Sequence, residues 1–206
     1  MFAKALIIVA LLVAAAGLAF AAVSALSAAL GGALFLPSSR AAVEVMLRAA
    51  GLRPGEKIYD LGCGDGRLLV AACRRWAVQA VGVEISPLVI ALAWLRVRLG
   101  RVPVRLVLGD ARKVDFGDAD AVFCYLVPEL LERLEPRFRQ LKPGCRIVCH
   151  RFGLPGWPPH AIFPVPGRGG DDRVLLYRVD GHDRQDPAHG KRPDARPSRA
   201  MPTWDP

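Results

Sequence analysis

Apolar positions follow two patterns along the chain. Residues 5–39 carry no charge. From Arg40 onward, short apolar runs alternate with segments that are apolar on one side only. Over 40–50 the residues Val43, Met46, Leu47 and Ala50 recur at helical spacing, with Ser38 or Ser39 as the N-cap and Gly51 as the stop. Strands are predicted at 58–61, 78–84, 104–108, 119–126 and 146–152. Helices fall between them at 67–75, 87–99 and 128–141. In the helix over 87–99, started by Ser86 and Pro87, Leu88, Leu92, Leu95 and Leu99 form one stripe, the side such a helix turns to its core. In the next, Leu130, Leu131, Leu134, Phe138 and Leu141 point inward, and Pro136 is expected to bend or split the helix. Two further strands, 161–165 and 173–179, should close the sheet as an antiparallel pair. Strands alternating with helices imply an α/β, doubly wound, mostly parallel sheet.

The same patterning divides the chain into an N-terminal anchor over 1–34, a folded domain over 35–180, and a polar tail over 181–206 that is read as disordered. Residues 5–30 are long enough to span a bilayer as one transmembrane helix, since roughly 20 apolar residues suffice. A cleaved signal peptide led by Lys4 is the rival reading, but its apolar stretch runs to only about 7–15 residues. The mean hydropathy of +0.27 is high for a soluble domain, and the excess sits in this segment. Arg40, Arg48, Arg53 and Lys57 follow the span, whereas only Lys4 and the amino terminus precede it. That bias predicts a single-pass protein whose domain faces the cytoplasm. The net charge is +9, yet no basic run is interleaved with aromatics, so nucleic acid is not an expected partner. An anionic lipid leaflet is an equally good use for a basic surface. The cysteines form no C-x-x-C pair, and Cys145 and Cys149 read as core fillers on one strand face. Two of the four histidines lie in the tail, so no metal site is expected.

Between the first strand and its helix stands Asp60-Leu61-Gly62-Cys63-Gly64-Asp65-Gly66-Arg67. Alternate glycines let a ligand approach backbone where a Cβ would block it. Dinucleotide folds need a small residue at the third place of their glycine turn, and here that place holds Arg67. Carboxylates at Asp60 and Asp65 would repel a pyrophosphate and suit a cofactor carrying an ammonium and a sulfonium. This turn resembles motif I of the class I, seven-strand S-adenosylmethionine methyltransferases, with a Rossmann-like sheet. The resemblance implies that Gly62, Gly64 and Gly66 admit the methionine part of the cofactor, with Asp60 and Asp65 favouring its positive charges. Glu84, ending the second strand, is placed to accept from the ribose hydroxyls, a role shared with dinucleotide enzymes. Asp110 resembles the family's adenine contact, with Ala111 supplying backbone. Tyr125, at the end of the fourth strand, would lie beside the transferable methyl and is the candidate catalytic residue. His150 reads mainly as a core histidine, with a role as base the lesser alternative.

Further pieces are Phe35-Leu36-Pro37-Ser38, Gly82-Val83-Glu84, Tyr125-Leu126-Val127-Pro128, Leu141-Lys142-Pro143-Gly144 and Trp157-Pro158-Pro159. Together with the turn they resemble the small membrane-associated lysine methyltransferases that modify the adenine nucleotide translocase and the ATP synthase c-subunit. That resemblance implies a protein-lysine acceptor and a lipid bilayer met through residues 5–30. A lipid or small-molecule acceptor near the membrane, and a non-catalytic cofactor-binding membrane protein, are the competing readings. A nicotinamide-dependent reductase is disfavoured by Arg67.

Overall fold

A computed structural model describes residues 38–167 and 172–180, with helical positions at 6–8, 10, 11, 14, 15, 17 and 18. The rest of the expected anchor, the junction over 31–37 and the tail over 181–206 lie outside the described residues. Among the described residues, no helix is long and apolar enough to cross a membrane.

The domain opens with helix α1 (Arg40–Ala50). Ser39 caps it by accepting the Ala42 N–H at 3.1 Å, and Gly51 ends it in the left-handed conformation at φ 55°. Buried Arg146 binds the carbonyls of Ala50 and Gly51 at 2.9 and 3.0 Å, tying the helix end to the sheet. The order continues β1 (Lys57–Leu61), α2 (Arg67–Trp76), β2 (Gln79–Glu84), α3 (Pro87–Gly100), β3 (Val104–Leu108) and β4 (Ala121–Cys124). It ends with α4 (Pro128–Arg139), β5 (Arg146–His150), β6 (Ala161–Pro164) and β7 (Arg173–Arg178).

The seven strands form one sheet in the order β3-β2-β1-β4-β5-β7-β6. The ladders from β3 through β5 are parallel, and β7 runs antiparallel between β5 and β6. Chain order reverses between β1 and β4, which opens a crevice beyond their carboxyl ends. Alternation along the strands feeds two cores. Val122, Cys124, Ile147 and Cys149 point to the side covered by α4, with Phe116 and Phe138. Phe123 and Val148 point to the side of α1 and α2, with Met46, Leu47 and Leu69. All five cysteines are free thiols, and Cys145 and Cys149 pack in the same core as expected.

Several details depart from the expected pattern. The strand expected over 119–126 is shorter at both ends: Ala119 closes a turn onto Phe116 (3.1 Å), and residues 125–127 leave the sheet ahead of Pro128. β5 stops at His150 because Arg151 turns left-handed, at φ 69°. Helix α4 runs through Pro136 without a break, and burial of Leu131, Leu134 and Phe138 around it outweighs the lost hydrogen bond. The largest departure is α3. Its leucine stripe faces outward, with Leu92, Leu95 and Leu99 exposed by 42%, 57% and 73%, while Val89, Ile90 and Ala93 are buried. The helix is apolar nearly all round, so size decides: a Cβ built on Gly66 would lie 3.2 Å from the Ala93 Cβ. Only a small residue lets α3 come that close to the glycine turn.

Candidate active site

The crevice between β1 and β4 is built on the glycine turn. Gly62, Gly64 and Gly66 all take positive φ, at 78°, 57° and 73°. The Gly62 and Cys63 N–H groups both donate to the Val83 carbonyl, at 2.8 and 2.9 Å, clamping the turn to β2. A Cβ on Gly62 would meet the Leu126 side chain at 2.8 Å, so a side chain there would strain the backbone and close the crevice. Gly82, inside β2, is equally tight: an added Cβ would lie 2.5 Å from Leu69 and 2.8 Å from the Cys63 sulfur. Cys63 is a packing residue, since burial pushes its thiol far up and keeps it neutral.

Glu84 stands at the end of β2 as expected. Its two oxygens accept from Gly64 N–H and Ser86 N–H, both at 3.0 Å. The carboxylate therefore fixes the turn, and its remaining lone pairs are left for a ligand. Next to it, the Ser86 hydroxyl is buried and has no hydrogen-bond partner among the described residues. Ser86 thus sits at the helix start without capping it through its side chain.

Asp60 is 6% exposed, and no described donor is hydrogen-bonded to its carboxylate. Burial, then the Glu84 and Asp65 carboxylates, push it up from 3.8 to about 8. A buried acid without a cation is costly, and a cation brought by a ligand would remove that cost. Asp65 has a different task from the expected one. The Arg67 guanidinium grips it in a fork, with Nη2 to Oδ2 at 2.7 Å, and Arg96 pairs with it too. Burial raises Asp65, but bonds from Arg67 and Arg96 outweigh that and hold it below the usual carboxylate range. Its charge is compensated within the chain. Arg67 also donates to the Ser38 carbonyl at 2.7 Å, which latches the N-terminal junction onto the turn.

Asp110 follows β3 as expected, and its carboxylate is held by a fork from Arg112, whose hydrogen bonds keep it below the usual range. Ala111 is buried, and its carbonyl accepts from Arg137 at 3.2 Å. Tyr125 leaves β4 with its ring 4.3 Å from the His150 ring, centroid to centroid. His150 is buried; its Nε2 meets Asp172 Oδ1 at 2.7 Å, and its Nδ1 lies 3.4 Å from the Ser38 hydroxyl. The structure thus joins Tyr125, His150, Asp172 and Ser38 at one edge of the crevice. Sequence reading missed Asp172 and this use of Ser38. Nothing local marks them, because 22 and 112 residues separate them from His150.

The residues present fit S-adenosylmethionine. A buried carboxylate lacks a cation, a buried hydroxyl lacks a partner, and the turn is closed to side chains. A seven-strand mixed sheet in this order, with this turn at its switch point, defines an S-adenosylmethionine-dependent methyltransferase. The profile of the ANTKMT methyltransferase domain matches residues 60–161. A protein-lysine N-methyltransferase of Saccharolobus islandicus is 34% identical over 152 residues, covering 72% of this chain and 94% of that protein. The mouse adenine nucleotide translocase lysine N-methyltransferase is 37% identical, covering 71% of this chain and 63% of its own length. Among solved structures, an RNA methyltransferase from Salinibacter ruber in complex with S-adenosyl-L-homocysteine aligns at a TM-score of 0.67 and 30% identity. That alignment covers 71% of this chain and 95% of the other. The chain belongs to the ANTKMT-type family of S-adenosylmethionine-dependent methyltransferases. It spans under two thirds of the length of the animal relatives it matches.

Proposed function

We propose that this chain methylates a lysine side chain of a protein, working at a membrane to which an apolar N-terminal segment holds it. Asp60 is the observation that carries the cofactor half of this reading: a buried acid without a partner near the end of β1, which a cationic ligand would ionise. The lysine half rests on similarity to the archaeal lysine methyltransferase, of which the chain covers 94%.

Bound S-adenosylmethionine would supply the methyl group from a sulfonium, a good leaving group. Asp60 would balance the positive charge of the donor. Glu84, the Ser86 hydroxyl and the Asp110–Ala111 backbone are the groups that would hold its nucleoside part. Gly62, Gly64 and Gly66 leave room for the methionine part. The protein's remaining work is alignment and exclusion of water. Tyr125 borders the acceptor side. Desolvation of an incoming lysine on closing the site would favour the neutral amine that methyl transfer needs.

The uncharged run over 5–39 supports the anchor. So do Leu6, Ile7, Leu11 and Leu18, which are helical and strongly exposed. The arginines that follow favour a cytoplasmic domain. A second reading, RNA as acceptor, rests on the likeness to the RNA methyltransferase of Salinibacter ruber. Comparing methylated lysines across the proteome with and without the chain tests the proposal. A lysine site that disappears supports it; an unchanged lysine methylome with a lost RNA or lipid methyl mark refutes it.

A further inference from the structure

A cavity of about 620 Å³ lies between α1, α2 and α3; it is lined by Asp65 and Arg67 at the outer side of the turn but not by Asp60, Glu84 or Tyr125. Leu92, Leu95 and Leu99 of α3 form its apolar side, and Arg40, Arg74 and Arg96 stand among them. Trp94 is exposed by 62% on the same helix. A surface helix with so much uncovered apolar area needs an occupant.

Charge points to which one. The two acids of this region are already matched. Glu44 pairs with Arg48 and Arg75, and Asp65 pairs with Arg67 and Arg96. Arg40, Arg74 and Arg98 have no carboxylate partner among the described residues. The surface therefore carries excess positive charge beside exposed apolar side chains, a combination that anionic lipid headgroups would neutralise. The uncharged segment 5–34 would leave those arginines unanswered. A second copy of the same face would set like charges together. Position agrees as well. The uncharged run ends at Ser38–Ser39, and the Ser38 carbonyl is held by Arg67, which lines this cavity.

We infer that the outward face of α3, with the arginines beside it, rests on an anionic lipid leaflet. It forms a second membrane contact that orients the crevice relative to the bilayer. The inference rests on the membrane part of the proposed function and not on the methyl acceptor.

Trp94 supplies a direct probe. The full chain is mixed with phosphatidylcholine vesicles, with or without phosphatidylglycerol, that carry doxyl-labelled lipid. Tryptophan quenching is compared with that of Trp94→Phe. The expected result is lipid quenching that is several-fold stronger in anionic vesicles and is lost in Trp94→Phe. It should also fall sharply in Leu95→Asp/Leu99→Asp, whose affinity for S-adenosylmethionine stays unchanged. Equal quenching in neutral vesicles overturns the charge argument. Trp94 open to aqueous iodide but not to labelled lipid overturns the contact. Trp94 shielded from both means that the chain's own segment or a second copy covers the face, and overturns it too. Anion-dependent quenching in a chain that carbonate extraction strips from the vesicles supports the contact even where the anchor fails.

Discussion

Replacing Asp60 by Asn separates two effects of one buried charge. In the folded protein this acid keeps its proton up to about 8, against 3.8 ordinarily. Between those values the folded state binds a proton that the unfolded chain has released. Stability supported by that proton is complete below about pH 4 and is lost as pH rises toward about 8. At roughly 1.4 kcal/mol per pH unit, the full loss is on the order of 5 kcal/mol. A cationic donor reverses the preference, because it stabilises the carboxylate. Binding S-adenosylmethionine at pH 7 should therefore release about 0.9 proton, and affinity should weaken about tenfold per pH unit below 8. Asp60→Asn should remove both slopes. It should weaken binding by about 2–4 kcal/mol, roughly 30- to 1000-fold, while leaving the cofactor-free protein more stable above pH 8. Calorimetry in two buffers of different ionisation enthalpy, from pH 6 to 9, measures the proton count. The variant serves as the blank for the cofactor's own amino group. No proton release at pH 7 in the wild type, or equal affinity in the variant, would refute the reasoning.

Other substitutions probe the scaffold and the acceptor side. Gly82→Ala puts a Cβ 2.5 Å from Leu69, and overpacking of this kind should cost about 1–3 kcal/mol by urea denaturation. Arg67→Lys keeps the charge but loses the fork on Asp65. It should lower stability by about 1 kcal/mol and loosen the Ser38 junction to proteolysis. Tyr125→Ala should lower kcat by about 100-fold with little change in cofactor affinity; a matching loss of both would make Tyr125 a packing residue. His150→Phe leaves the half-buried Asp172 carboxylate without this partner and should cost about 1–3 kcal/mol in thermal or urea unfolding.

Much of this fold is legible because its strands are short apolar runs separated by helical segments. Val122 and Phe123 feed opposite cores, as do Ile147 and Val148. Helix α1 is legible too, since its cap, stop and apolar face agree. Helix α3 is not. Periodicity marks a leucine stripe, but the side that turns inward depends on Ala93 meeting Gly66, a contact across the fold. At the site, the glycines and Glu84 stand where local spacing places them. The partners of the acids do not follow from spacing. Asp60 and Asp65 look equivalent along the chain, yet one is buried without a partner and the other is gripped by Arg67 and Arg96. Asp172 became visible only when β7 was laid antiparallel to β5, which pairs His150 with Val174.

The most direct test supplies the full chain with S-adenosylmethionine tritiated in its methyl group, together with a cell extract that retains membranes and RNA. Acid hydrolysis and amino-acid chromatography then follow. Radioactivity should run with methylated lysine, and Asp60→Asn should abolish it. Radioactivity confined to lipid or RNA, or transfer that survives the substitution, would contradict the account.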